Sequence, residues 1–213
     1  MMRLDFDGLE RVLCLGAHSD DIEIGAGATV LELLDRRPNL HVDWAVFAAD
    51  GARADEARES AIRFLEGAAS REIHLFSFRD GYLPWHAAEV KDEFERLKRA
   101  TDPDLVLTHH GDDRHQDHRL MSELTWNTWR DQVILEYEIP KWDGDLGRPN
   151  FYVPTSVENQ DRKIAILLEV FASQRGKDWF DEETYRGLAR LRGMECRAPS
   201  RYAEAFHARK LRF

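Results

Sequence analysis

Arg11-Val12-Leu13-Cys14-Leu15-Gly16-Ala17-His18-Ser19-Asp20-Asp21-Ile22-Glu23-Ile24-Gly25 decides the fold. After Arg11 come four apolar residues, Val12 to Leu15, that stop at a Gly, the pattern of a parallel strand buried on both faces. An imidazole and two carboxylates follow at once. In open α/β sheets ligands bind at the carboxyl ends of strands, so these residue types there point to a metal or to catalysis. On this segment alone the carboxylates read equally well as caps of a helix N-terminus, which welcomes negative charge.

A second cluster tips the balance. Thr108-His109-His110-Gly111-Asp112-Asp113-Arg114-His115-Gln116-Asp117-His118-Arg119 follows another apolar strand, Asp104 to Leu107, set behind the turn-forming Asp102-Pro103. Two such strand ends are expected on the same edge of a parallel sheet. His115 and His118 stand three apart, so one helical turn brings both to one face. The chain has nine His, and four of them fall within ten residues here, which favours a metal site over a polar loop. Imidazole with carboxylate suits zinc or a similar divalent ion.

Between and beyond these clusters, strands alternate with helices as in a βαβ protein. Gly25 to Leu34 reads as a helix, ended by Pro38 and Asn39, and Val42 to Phe47 as the second strand. Asp55 to Ala68 forms a helix with Ala57, Ala61, Phe64 and Leu65 on one face. Glu72 to Phe76 is a third strand, Val90 to Ala100 a charged amphipathic helix, Gln132 to Tyr137 a fifth strand and Phe151 to Thr155 a sixth. Glu158 to Ala172 is a helix with Ile164, Leu167, Leu168 and Phe171 inward. The expectation is a three-layer αβα sandwich around a mostly parallel, Rossmann-like sheet, with residues 1–213 as one domain.

Gly25-Ala26-Gly27-Ala28 is glycine-rich at a helix start, but the G-x-G-x-x-G spacing of a dinucleotide fold is absent. Small residues there are read as allowing close helix–sheet packing. A formal charge of −10 argues against a nucleic-acid surface, and no apolar run approaches the ~20 residues of a membrane span. Arg209-Lys210-Leu211-Arg212-Phe213 reads as a short solvated basic end. Met1 to Asp7 carries acids where a signal peptide needs cations, so the expected location is cytoplasmic. Cys14 and Cys196, far apart, make no disulfide framework.

His18-Ser19-Asp20-Asp21 with Glu23, taken with Asp113-Arg114-His115-Gln116-Asp117-His118, resembles the LmbE-like, PIG-L type N-acetylglucosamine deacetylases. Their signature is Ala-His-Pro-Asp-Asp-x-Glu after the first strand and a later His-x-Asp-His. Arg53 to Ala57, Asp80-Gly81-Tyr82-Leu83, Ser173-Gln174, Arg192-Gly193 and Tyr202 to Phe206 carry the resemblance over most of the chain. Ser19 stands where the family usually has Pro, a position that shapes the turn without being a ligand; its hydroxyl is free to bond a neighbouring Asp.

The resemblance implies a zinc site, with ferrous iron as the other metal, held by His18, Asp21 and His118. It implies Asp20 as general base toward a water whose pKa the metal lowers to ~7, and His115 as the imidazole that stabilises the oxyanion. Asp20 or His115 then protonates the leaving amine. Asp117 orients an imidazole, or is a surface acid paired with Arg114 or Arg119. Glu23 is expected to bond within its loop and brace His18. Arg53, just past the second strand, is the substrate-binding residue, its plainer alternative being a pair with Glu56. His109 and His110 read more readily as exposed loop residues than as substrate contacts, and His74, His86 and His207 carry no assignment.

Among the aromatic residues, Trp126 and Trp129 have core spacing. Trp142, in a loop rich in Gly, Pro and Asp, is a candidate for stacking on a sugar, and Trp179 lies near the later loops. The expected activity is metal-dependent removal of acetyl from an N-acetylated amino sugar or its conjugate, a small-molecule partner, compatible with a homo-oligomer. The alternatives are an amidase for another amide, such as a thiol–sugar conjugate or antibiotic intermediate, and a non-catalytic carbohydrate-binding relative.

Overall fold

The computed structural model describes residues 8–211, so the readings of Met1 to Asp7 and of Arg212-Phe213 lie outside the described residues. β1 (Arg11–His18) is the strand that opens the sequence argument, running three residues beyond Leu15. Val12 and Cys14 enter one core while Leu13, Leu15 and Ala17 enter another. Neither face meets water, which is why polar alternation is missing from it.

From β1 the chain passes through α1 (Asp21–Arg36), β2 (His41–Ala48), α2 (Ala52–Phe64) and β3 (Ser70–Leu75). It continues with α3 (Ala87–Ala100), β4 (Leu105–His109), α4 (Gln116–Thr128) and β5 (Val133–Tyr137). The last elements are β6 (Phe151–Thr155), α5 (Val157–Val170), α6 (Glu182–Glu195) and β7 (Tyr202–His207). The sheet runs β3-β2-β1-β4-β5-β7-β6. Strands β1 to β5 pair in parallel, and β7 is antiparallel to both its neighbours. Helices α1, α2 and α5 cover the core around Trp44, Phe64 and Phe171, and α3 and α4 cover the core around Phe47, Phe94 and Trp129. This is a three-layer α/β fold.

Strand order reverses at β1, with β2 on one side and β4 on the other. In such sheets the crevice beyond the carboxyl ends of these strands is the ligand position. Both polar clusters of the sequence end there.

Several elements depart from expectation. α1 begins at Asp21, not Gly25, which puts Asp21 and Glu23 in its first turn. Gly25 lies so close to the sheet that a Cβ would stand 2.2 Å from Tyr137 Cδ2, and one on Gly27 2.7 Å from Phe64 Cε1. The small residues therefore serve helix packing. α6 and β7 were not anticipated. β7 reads Tyr-Ala-Glu-Ala-Phe-His, and its Glu204 is an acid in the core. Its carboxylate accepts from the Ala28 and Thr29 amides at 3.0 and 2.7 Å and from Lys163 Nζ at 2.6 Å. Among the described residues no helix is long and apolar enough to cross a membrane.

Candidate metal centre

Three donor atoms from three elements meet at the strand-order reversal. His18 Nδ1, at the end of β1, lies 3.1 Å from His118 Nε2 in the first turn of α4. Asp21 Oδ2, at the start of α1, lies 3.2 Å from that His18 nitrogen and 3.5 Å from His118 Nε2. A tetrahedral ion with bonds of about 2.0–2.1 Å holds its donors about 3.3 Å apart. The triangle fits a zinc-like ion.

The outward nitrogens explain why the inward ones are available. His118 Nδ1 is 2.9 Å from Asp113 Oδ2, and His18 Nε2 is 3.1 Å from Asp117 Oδ2 and 3.2 Å from Asp80 Oδ1. An imidazole that gives its outer N–H to a carboxylate turns a lone pair inward. Asp117 is fully buried and also accepts from the Gly81 and Leu83 amides at 2.8 and 3.1 Å. One carboxylate thus fixes the His18 ring and the Asp80-Gly81 turn, where Gly81 takes a φ of +79°.

Charge at the cluster favours a cation. Burial opposes a charged His18, yet Asp21, Asp117 and Asp80 together carry its pKa well above the ordinary value. Burial and the neighbouring His109 push His118 down to about 3, so that ring is neutral at pH 7. Asp21 is desolvated, but His118, His109 and His18 hold its pKa well below the carboxylate range.

Asp20 stands beside this triangle without joining it. By position it is the N-cap of α1, but its side chain makes no cap hydrogen bond. Its Oδ1 is 3.4 Å from Arg53 Nη2, and its buried Oδ2 has no partner. Burial and then the adjacent Asp21 raise its pKa. His115, the half-buried N-cap of α4, accepts the Asp117 amide at Nδ1 at 3.2 Å, which leaves the proton on Nε2. Burial and the nearby His18 lower its pKa, so the ring is a neutral N–H donor.

The sequence profile described as PIG-L, GlcNAc-PI de-N-acetylase matches residues 13–129. The chain belongs to this PIG-L family. The matched stretch carries every cluster residue named so far; Lys141, Trp142 and Trp179 lie beyond it. A diacetylchitobiose deacetylase from Thermococcus kodakarensis is 30% identical over 115 residues, 48% of this chain and 41% of that protein. The chain therefore matches less than half the length of that relative. Among solved structures, an N,N′-diacetylchitobiose deacetylase from Pyrococcus horikoshii superposes with a TM-score of 0.74 at 23% identity, covering 95% of this chain and 85% of that one. A 4-carboxy-2-hydroxymuconate hydratase from Pseudomonas putida superposes with a TM-score of 0.69 at 20% identity, covering 96% and 98%. The PIG-L fold is thus shared by proteins named for different reactions, and function has to be argued from the site.

The remaining residues fall out as follows in this PIG-L chain. Arg53 does not pair with Glu56; it reaches Asp80 at 2.5 Å as well as Asp20, while Glu56 accepts from Ser173. Asp117 is no surface acid, since Arg119 goes instead to the carbonyls of Asp113 and Arg114. Glu23 makes no bond to His18. It is buried with both carboxylate oxygens unpartnered, and burial raises its pKa well above the ordinary value. Ser19 Oγ is buried without a partner, so no hydrogen bond to a neighbouring Asp forms.

His109 is the clearest correction. It is fully buried at the end of β4, its Nε2 2.9 Å from the Ala17 amide and 3.2 Å from Asp21 Oδ2. Extending the alternation Leu105, Leu107 by one step would have found it. His110 is half-buried, bonded to Glu136 at 2.8 Å and stacked on His207. The sequence reading also gave no role to Asp80, Asp113 or Lys141. Lys141 Nζ lies 3.0 Å from Asp113 Oδ2 and 2.6 Å from Asp145. No local signal marks Lys141, because only the fold-back of the β5–β6 loop brings it in. Trp129 is core, and Trp126 is partly buried, with its Nε1 donating to Glu136 at 2.6 Å.

Proposed function

We propose that this protein is a metal-dependent amide hydrolase that removes acetyl from an N-acetylated amino sugar or its conjugate. The observation that carries it is the His18–Asp21–His118 triangle with the unpartnered Asp20 oxygen beside it. A non-catalytic carbohydrate binder has no use for a buried carboxylate oxygen left without a partner, which costs about 1–3 kcal/mol. The deacetylase names of relatives in the same family support the reaction class.

Zinc, or ferrous iron, bound by His18, Asp21 and His118 would act as a Lewis acid and lower the pKa of water toward ~7. Asp117 and Asp113 hold the two imidazoles in the tautomers that make them ligands. Asp20 takes the proton of the attacking water; desolvation has raised its basicity for that task. Arg53 keeps Asp20 ionised and oriented while remaining at the mouth, where a guanidinium can bond sugar hydroxyls. The Nε2–H of His115 donates to the carbonyl oxygen as it becomes an oxyanion. The leaving amine receives its proton from Asp20 or from His115, the two groups that face it.

The test is metal analysis of the purified protein followed by acetate release from N-acetylglucosamine and N,N′-diacetylchitobiose. About one ion per chain, with activity lost on chelation and restored by zinc or ferrous iron, is expected. Asp20→Asn should keep the ion and lower kcat by about 10²–10⁴-fold. Loss of the ion in that variant would make Asp20 a ligand, and no ion in the wild type would end the proposal.

A further inference from the structure

The loop between β5 and β6 leaves one side chain in water and turns its neighbour inward. Trp142 is 69% exposed and meets Trp179 edge-on, with ring centroids 6.1 Å apart. The side chain of Lys141, directly before it, is only 8% exposed and carries its ammonium to two buried acids. Nζ lies 3.0 Å from Asp113 Oδ2 and 2.6 Å from Asp145 Oδ2, and those side chains are 4% and 7% exposed. Gly144, at a φ of +62°, makes the turn that brings Asp145 back to Lys141. Asp145 Oδ2 also accepts the Arg114 amide at 2.7 Å. The segment before α4 and the β5–β6 loop are thus tied together by one ammonium and one amide.

We infer that Lys141 is a positioning residue for the metal centre: it holds the Asp113 carboxylate in the orientation that turns His118 Nε2 inward. The inference deepens the deacetylase reading and rests on it for the identity of the ligands. Asp113 has one oxygen fixed from its own loop, where Oδ1 accepts the His115 amide at 2.7 Å. Its Oδ2 accepts from the His118 ring at 2.9 Å and from Lys141. The bond to His118 cannot set the orientation by itself, because ring and carboxylate would swing together. Lys141 reaches in from 28 residues away and supplies the fixed outside point. A charge-assisted bond is roughly twice as strong as a neutral one, and burial strengthens it further. The same ammonium offsets Asp145, which would otherwise bring a second negative charge up to Asp113. Lys141 lies outside the stretch 13–129 that the PIG-L profile matches, so the family match does not supply this tie.

The test is zinc affinity, read by competition with a chromophoric chelator, beside the visible bands of the cobalt(II)-loaded protein, which report ligand geometry. Lys141→Met should weaken zinc binding by about 10–100-fold, the range for outer partners of metal ligands, and shift the cobalt bands. Lys141→Arg, which offers both carboxylates a fork of donors, should recover most of that loss and keep the bands. Lys141→Met also leaves two acids buried without their cation, and adding Asp145→Asn relieves that charge. The double variant should fold and still bind zinc weakly, because Asp113 has lost its outside point. Wild-type affinity and bands in the double variant would mean that Lys141 serves only to neutralise Asp145, and the inference would be overturned. So would an arginine variant as weak as the methionine one, or a Lys141→Met protein that binds zinc like the wild type. If that happens while the wild type takes up zinc and releases acetate, the deacetylase reading stands without the inference. A wild type that binds no zinc ends both.

Discussion

Asp113 never faces the centre of the cluster, yet it sets the orientation of His118. Its Oδ2 accepts hydrogen bonds from His118 Nδ1 and the Lys141 ammonium, and its Oδ1 accepts from the His115 amide at 2.7 Å. The hydrogen bond from His118, with the Lys141 ammonium beside it, overcomes its burial and holds its pKa well below the ordinary carboxylate value. Outer partners of this kind commonly contribute 10–100-fold to metal affinity. Asp113→Ala is therefore expected to weaken zinc binding by about that factor, read by competition with a chromophoric chelator. Unchanged affinity would mean that packing against His109 and His115 is enough to hold the ring. At this scale the sequence was informative where residues of one site are neighbours in the chain. His18, Asp20 and Asp21 lie in one run, His115 and His118 in another, and each run follows a recognisable strand. Asp80 and Lys141 belong to the site only through contacts across tens of residues, which no local spacing encodes.

The helix that carries Asp21 is itself pinned by charge. Lys163 Nζ donates to the Ile24 carbonyl at 2.6 Å and pairs with Glu204, whose other contacts are the Ala28 and Thr29 amides. Both side chains are buried, at 3% and 5% exposure, so neither charge has water to fall back on. Removing one partner of such a pair costs about 3–5 kcal/mol, whereas replacing both by apolar groups can be nearly neutral. Lys163→Met should lower the free energy of urea unfolding by about that amount, and Lys163→Met with Glu204→Met should recover part of it. A single variant as stable as the wild type would remove the pair from any role in holding α1. The same pair explains why β7 was illegible. A Glu flanked by alanines reads as a surface position, and its partners on α5 and α1 lie 41 and about 175 residues away. The β1 to β5 part was legible because those strands are buried on both faces and declare themselves by unbroken apolarity. Element boundaries slipped where polar site residues continue a regular element, as at the end of β4 and the start of α1.

Across the whole molecule, the three proposed ligands come from β1, α1 and α4, which lie on both sides of the strand-order reversal. In the unfolded chain the two motifs are separated by roughly a hundred residues, so an ion gripping all three binds the folded state almost alone. Such binding stabilises by RT ln(1 + [L]/Kd), about 4 kcal/mol when free ion stands at a thousand times Kd. The metal-free fold carries the opposite burden: Asp20, Asp21, Asp80, Asp113 and Asp117 crowd one crevice in a chain whose formal charge is already −10. Chelation should therefore lower the urea midpoint of the wild type, and added zinc should restore it in proportion to the logarithm of its free concentration. Asp21→Asn, which removes one corner of the triangle, should flatten that dependence at the same zinc levels. Equal zinc stabilisation of both proteins would mean that the ion sits elsewhere on this acidic chain, and the crevice would then be a polar cluster held by its own hydrogen bonds. A dependence lost only in the variant would tie stability and the proposed chemistry to the same three atoms.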